Sequence, residues 1–127
     1  MRINSIQTKN APQAVGPYSQ AVTANGLAFL SGMLPLDPIN GNIIGKTAKE
    51  QTEQVMQNIK NLLSELDTSF KDVIKTTIFL DSMDLFEEVN EVYGSYFPTH
   101  KPARSCVEVA AIPKRALIEI EVIAKLP

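Results

Sequence analysis

Arg104 and Cys106 stand two residues apart in the run Pro102-Ala-Arg-Ser-Cys-Val-Glu-Val-Ala-Ala-Ile-Pro113, and Glu119 and Glu121 stand two apart in the following stretch, Ala116 to Lys125. Two is the side-chain period of a β-strand, so each pair shares a strand face. In the first strand Ser105, Val107 and Val109 fall on one side, and Arg104, Cys106, Glu108 and Ala110 on the other. In the second, Ile118, Ile120, Val122 and Ala124 read as plain core, and Leu117, Glu119, Glu121 and Ile123 form the opposite face. If a short even-numbered loop around Pro113-Lys114 closes an antiparallel hairpin, the Arg104 and Glu119 faces coincide. One sheet face then carries Arg, Cys and carboxylates between apolar residues.

Such a face has a definite chemistry. A guanidinium in a half-apolar site is suited to gripping a carboxylate through two parallel hydrogen bonds. A nearby carboxylate can then handle a proton on a bound water, provided desolvation raises its pKa against the opposing pull of Arg104. Composition alone favours a simpler outcome, in which Arg104 pairs with Glu119 or Glu121. The face as a whole also has a bland reading as a solvated outer sheet surface, the commoner fate of an antiparallel hairpin. Against it, Cys106, Ala110, Leu117 and Ile123 interleave with the charges and suit water poorly. That mixture points to burial against another subunit, with the charges in a cleft at the contact.

Other chemistries find little support. One His and one Cys do not make a transition-metal site, and no carboxylates have metal-ligand spacing. His100 and Cys106 as a thiolate pair is a minor reading beside a small core-like Cys106. The glycines form neither nucleotide-binding pattern, so cofactor chemistry has no sequence support. The formal net charge of -2 and the pI near 5.4 give no basic stripe for nucleic acid. A single Cys excludes an internal disulfide and fits a reducing compartment, so a cytoplasmic location is expected. No leader-like or membrane-spanning run is read in the sequence.

The elements that must position these residues fit one domain over residues 1–127, whose 44% hydrophobic and 20% charged content suits a globular core. Met1 to Gln7 reads as an edge strand. Gly16-Pro17 forms a turn that delivers Tyr18 to the head of a short strand running towards Thr23. Asn25-Gly26 has hairpin-loop composition, so Leu27 to Met33 returns antiparallel. Gly32 inside that bulky strand marks a bulge or a close approach to the backbone. Pro35 to Gly45 is a loop or loose hairpin. Thr47-Ala-Lys-Glu50 opens an amphipathic helix whose apolar stripe is Val55, Met56, Ile59, Leu62, Leu63 and Leu66.

Val73 to Leu80, β-branched and aromatic, reads as a central strand. If it neighbours the earlier strand in parallel, the connection is a right-handed crossover. A second helix follows Asp81-Ser82 and runs to about Phe97, with Phe86, Val89, Tyr93 and Phe97 on its apolar side. Asn90 falls inside that stripe. An amide there needs partners, usually backbone and purely structural; the lesser reading has it facing a ligand cleft.

At this point a resemblance becomes specific. Gly16-Pro-Tyr-Ser-Gln20, Ser31-Gly32, Val73-Ile-Lys-Thr-Thr77, Val89-Asn-Glu-Val-Tyr93, Pro102-Ala-Arg-Ser-Cys-Val-Glu-Val-Ala110 and Ile118-Glu-Ile-Glu-Val-Ile-Ala124 resemble the reactive intermediate deaminase (Rid, or YjgF/YER057c/UK114) family. The resemblance runs through essentially the whole chain, and the Arg-Ser-Cys-Val-Glu-Val and Ile-Glu-Ile-Glu motifs are those of the RidA subgroup.

The resemblance implies an α+β, chorismate mutase-like fold, a mixed sheet with two helices packed on one face. It further implies a homotrimer with clefts between subunits. The implied reaction is hydrolysis of 2-imino acids to 2-oxo acids and ammonia, with no cofactor and no metal. Arg104 would bind the substrate carboxylate, assisted by the backbone at Cys106, and Glu119 would activate water. Tyr18, the backbone of Gly32, and Asn90 would complete the cleft. Small 2-imino and 2-oxo acids are the implied ligands, with neither nucleic acid nor membrane as a partner. Alternatives within reach are a metabolite sensor that uses Arg104 without needing Glu119, and a ribonuclease that blocks translation, a role described for some members. Met33, where many members carry Gln, and Lys101, where Phe is frequent, depart from the pattern and bear on substrate preference.

Overall fold

A computed structural model describes residues 2–127. The first strand, β1 (Asn4–Ile6), confirms the expected edge strand, except Met1, which lies outside the described residues. It pairs antiparallel with β2 (Ala21–Ala24), which turns through Asn25 and Gly26 into β3 (Leu27–Met33). Both turn residues have positive φ, 52° and 79°, as a two-residue hairpin matching the strand twist requires. The loop before the first helix is held as a loose hairpin by a bridge between Leu36 and Ile43.

The helix α1 (Ala48–Glu65) starts at a full capping box. Thr47 Oγ1 accepts from the Glu50 amide at 3.1 Å, and Glu50 Oε1 accepts from the Thr47 amide at 3.1 Å. Caps of this kind stabilise a helix by about 1 kcal/mol. Val55, Met56, Ile59, Leu62 and Leu63 are buried as the apolar stripe predicts. The strand β4 (Val73–Leu80) then leads through a Ser82-capped 3₁₀ turn into α2 (Phe86–Ser95), which therefore begins four residues later than Ser82. Val89, Tyr93 and Phe97 point into the core. The remaining strands are β5 (Ala103–Glu108) and β6 (Ile118–Lys125).

The sheet order is β1-β2-β3-β6-β4-β5, antiparallel throughout except for the parallel pair β4–β5. Ile118, Ile120, Val122 and Ala124 pack with Ile78, Leu80 and the two helices in one core, so both helices lie on one face of the sheet. This is the expected mixed α+β layer architecture.

The order corrects two sequence expectations. β6 separates β3 from β4, so those two strands are not neighbours; β4-α2-β5 is the parallel crossover unit. β5 and β6 do not form a hairpin either, because β4 lies between them. The intervening segment steps around the end of β4: the Val109 amide donates to Leu80 O, and the Asp81 amide donates to Leu117 O, each at 3.0 Å. The β-branched run of β4 pairs on both edges, which a side-chain period in two other strands does not reveal.

Candidate active site

Register now decides which residues share a face. Thr76 lies opposite both Arg104 and Val122, and Ile78 opposite both Cys106 and Ile120. Arg104 and Cys106 therefore sit on the helix-covered side. Phe79 lies opposite both Val107 and Glu119, and Thr77 opposite both Ser105 and Glu121, which places the two carboxylates on the uncovered side. The expected single face carrying Arg, Cys and all the carboxylates does not exist within one chain. Nor does an Arg104 ion pair with Glu119 or Glu121: among the described residues the one salt bridge is Lys49–Glu91.

The six candidate residues instead form two half-sites. The first is built where β5, an edge strand, meets α2. Arg104 Nη1 donates to Asn90 Oδ1 at 2.5 Å, and the guanidinium carbon lies 5.6 Å from the Phe86 ring centroid and 5.2 Å from that of Tyr93. Contacts of this kind contribute roughly 0.5–1 kcal/mol at exposed sites and also restrict the guanidinium's orientation. The Tyr93 hydroxyl shares a buried 2.8 Å hydrogen bond with Thr76 Oγ1, which fixes the ring. Asn90 is half-buried, and its partner is the Arg104 side chain rather than the backbone that the commoner expectation gave it. Arg104 itself remains exposed and free of carboxylates, a cation prepared for an anion.

Cys106 is half-buried against the core, and burial pushes its thiol pKa up while the Arg104 charge opposes this. That is the reverse of an activated nucleophile. His100 does not pair with it, since its Nε2 meets Val73 O at 2.6 Å. Glu108 is likewise occupied, accepting from the Met83 amide at 2.8 Å.

The second half-site is an open cleft of about 550 Å³. Tyr18, Ser31, Gly32, Met33, Glu119 and Glu121 line it, and none of Arg104, Asn90 or Cys106 does. Gly32 lies at the expected bulge, where the β3–β6 register shifts between Leu30 and Met33. A Cβ on Gly32 would stand 2.5 Å from Glu119 Oε2, so only glycine leaves room for that carboxylate. Glu119 is half-buried, and its pKa is raised, first by desolvation and second by the charge of Glu121. A carboxyl in that condition holds a proton more readily than an exposed one, which suits it to proton transfer. Met33 turns its side chain into the core, so this departure from the family pattern bears on the cleft wall only from behind.

The sequence reading missed what holds this cleft open. Gln20, buried, donates to the carbonyls of Thr8, Ala11 and Pro12 and accepts from the Thr8 amide at 2.7 Å. Fully buried Asn58 donates to Leu34 O at 3.1 Å and Leu36 O at 2.9 Å. Gln51 accepts from the Leu117 amide at 2.8 Å. Gln20 and Asn58 thus tie the loop walls of the cleft at Pro12, Leu34 and Leu36 to the core, and Gln51 holds the segment leading into β6. The available signal was the presence of Gln51 and Asn58 on the buried face of an otherwise apolar helix stripe. Lys114, with φ 58°, donates to Gly41 O at 2.8 Å and supplies a cation at the rim. Phe86 and Tyr93 were legible only as core residues. Among the described residues no three His, Cys, Asp or Glu side chains gather as a metal site.

Comparison with known proteins shows the family of the chain. Residues 8–126 match a family model described as Endoribonuclease L-PSP. The chain belongs to the Rid/YjgF family. It is 50% identical over 119 residues to a RutC family protein of Pyrococcus horikoshii, covering 94% of both chains. It is 48% identical over 121 residues to Reactive Intermediate Deaminase A, chloroplastic, of Arabidopsis thaliana, covering 95% of this chain and 65% of that protein. The solved structure of E. coli TdcF with bound serine superposes with a TM-score of 0.92 at 36% identity, covering 98% of this chain and 99% of that one. A deaminase-like role is thus supported at the level of the Rid family, and the six-stranded sheet with two helices is the fold shared with these structures.

Proposed function

We propose that this Rid family member hydrolyses 2-imino acids, such as 2-iminobutanoate and 2-iminopropanoate and their enamine tautomers, to 2-oxo acids and ammonia. The observation that carries the proposal is the complementarity of the half-sites. One presents an unpaired, oriented guanidinium; the other presents a desolvated carboxyl in a cleft large enough for a small molecule. A sheet separates them within one chain, so we assign the complete site to a homotrimer in which the β5 edge of one subunit closes the cleft of the next. A head-to-tail contact repeated around a three-fold axis produces three such sites.

In this reading Arg104 grips the substrate carboxylate through paired hydrogen bonds, with the backbone at Cys106 alongside. The protonated C=N carbon is already electrophilic, so the protein has mainly to position it and a water. Glu119 takes a proton from the water as its oxygen bonds to that carbon. It then returns that proton to the nitrogen of the tetrahedral intermediate. The C–N bond breaks to release ammonia as the hydroxyl proton passes to Glu119, which leaves the 2-oxo acid, and Glu119 hands this last proton to the departing ammonia as ammonium. The Glu119 pKa, raised by burial, suits these transfers. Tyr18 and the backbone at Gly32 line the path of the water, and Asn90 keeps Arg104 aimed. No step calls on a metal or cofactor. The single free thiol is consistent with work in the cytoplasm, and no helix among the described residues is long and apolar enough to cross a membrane.

The test generates 2-iminobutanoate in situ with threonine dehydratase, in competition with semicarbazide, and follows ammonia and 2-oxobutanoate. Acceleration by the protein that vanishes in Arg104→Ala supports the assignment; no acceleration by an intact oligomer overturns it. Serine bound in the TdcF structure favours one second reading, a sensor that binds small amino, imino or oxo acids without turnover. Glu119→Gln separates the two, because an enzyme loses turnover and a sensor loses nothing.

A further inference from the structure

A second region with binding character lies at the start of β4 and the end of β6, away from Glu119, where the sheet meets the end of α2. A cavity of about 300 Å³ is lined by Ser69, Phe70, Tyr96, Phe97 and Pro98 together with Lys71 and His100. The Phe70 ring centroid lies 5.2 Å from that of Tyr96 and 5.3 Å from that of Phe97, and Phe70 and Tyr96 are only half-buried. Beside it a groove of about 320 Å³ is lined by Lys71, His100, Lys101 and Lys125. Lys71 and His100 line both cavities and join them. None of the six residues assigned to imine hydrolysis lines either.

The two compartments differ in chemistry. Three lysines, Lys71, Lys101 and Lys125, line the groove of a chain whose net charge is -2, and the one acidic residue lining it, Asp72, accepts a hydrogen bond from Thr68 Oγ1. Lys101 is anchored with its Nζ donating to Phe97 O at 2.7 Å, at the carbonyl end of α2, which leaves its remaining protons for another acceptor. His100 is anchored by Nε2 on Val73 O at 2.6 Å. Lys101 and His100 are thus held in place at the groove. An inorganic anion satisfies only the groove, and an apolar molecule only the aromatic cavity. A molecule that uses both has a flat aromatic end and an anionic end a few ångströms apart.

We infer that the joined cavities bind a nucleoside monophosphate group, its base against Phe70 and Tyr96 and its phosphate among Lys71, Lys101 and Lys125. A free mononucleotide and the 5′ end of a single-stranded RNA share this chemistry. Base stacking on aromatic walls tolerates any base, so the site selects phosphate and ring rather than base identity.

Equilibrium binding to the oligomer, read by calorimetry, tests this with inorganic phosphate, adenosine, AMP and a 5′-phosphorylated tetra-adenylate. AMP is expected to bind at least about tenfold tighter than phosphate or adenosine. Lys71→Glu, an exposed change, is expected to weaken AMP by about tenfold or more while imine hydrolysis and the melting temperature stay unchanged. Phe70→Ala is expected to weaken AMP and adenosine but not phosphate. A tetramer that binds much more tightly than AMP identifies an RNA end as the source; equal affinity identifies the free nucleotide. AMP binding no tighter than phosphate, or indifferent to Lys71→Glu, overturns the inference. Because imine hydrolysis is read separately, failure here leaves the proposed reaction standing, and the converse also holds.

Discussion

The arginine half-site and the glutamate half-site are built by different means. Around Arg104 the support is side-chain packing: Phe86, Tyr93 and Asn90 project from one short helix onto one edge strand. Around Glu119 the support is backbone. A glycine bulge makes room for the carboxylate, and buried amides hold the surrounding loop carbonyls. The difference suits the two tasks proposed for them. An anchor needs a fixed direction but tolerates solvent, whereas a proton-transfer carboxyl needs a dry, shaped wall to keep its pKa raised.

The comparison is broken most completely at Arg104. Arg104→Ala removes the guanidinium of its half-site, and turnover in the semicarbazide assay is expected to fall to the uncatalysed rate, a loss of about 100-fold or more. Residual full activity would end the carboxylate-anchor role. Glu119→Gln keeps shape and binding but removes the base, so kcat is expected to fall on the order of 100-fold while 2-oxobutanoate still binds.

The same carboxyl sets a pH dependence. Its folded pKa lies above the ordinary carboxylate value, so the ionised, proton-accepting form grows in as pH rises through that raised pKa, and kcat/KM is expected to climb across it. The folded state also holds this proton more tightly than the unfolded chain does. Stability from this group is therefore present below the ordinary carboxylate pKa and is lost as pH rises through the raised one. Glu119→Gln is expected to flatten both the rate limb and that part of the stability profile, measured by denaturant unfolding against pH.

A smaller effect is expected at Gly32, where an added methyl would meet Glu119 Oε2 at 2.5 Å. Gly32→Ala should displace the carboxylate and lower kcat by about 10- to 100-fold with little change in KM, since misplacement of about 1 Å has that order of effect. The smallest lies behind the arginine. Tyr93→Phe keeps the ring under the guanidinium but loses the hydroxyl bond to Thr76, lowering stability by about 1 kcal/mol with only a few-fold change in KM. A KM effect as large as that of Arg104→Ala would show that the arginine's direction depends on that one hydroxyl.

Much of the glutamate half was legible in the chain itself, because its signals are local. The Asn25-Gly26 turn, the glycine interrupting β3 and the alternation of Ile118 to Ala124 are short-range patterns, and each holds. The arginine half was legible only in its residues. Which face Arg104 occupies depends on β4 inserting between β5 and β6, a non-local pairing that period-two alternation leaves open. Asn90 drew notice as an amide in an apolar stripe, but its partner lies on another element, 14 residues along the chain. Gln20 and Asn58 escaped notice for the same reason: their carbonyl partners are 8 to 24 residues away.

The division of the site between subunits is the central claim, and subunit mixing tests it most directly. Arg104→Ala and Glu119→Gln proteins, each inactive alone, are unfolded together, refolded at equal concentration and assayed for 2-iminobutanoate hydrolysis. A cleft shared between subunits restores activity to about one quarter of wild type, because random assembly places an intact Arg104 half against an intact Glu119 half at that frequency. Mixed oligomers that stay as inactive as either parent would contradict the account.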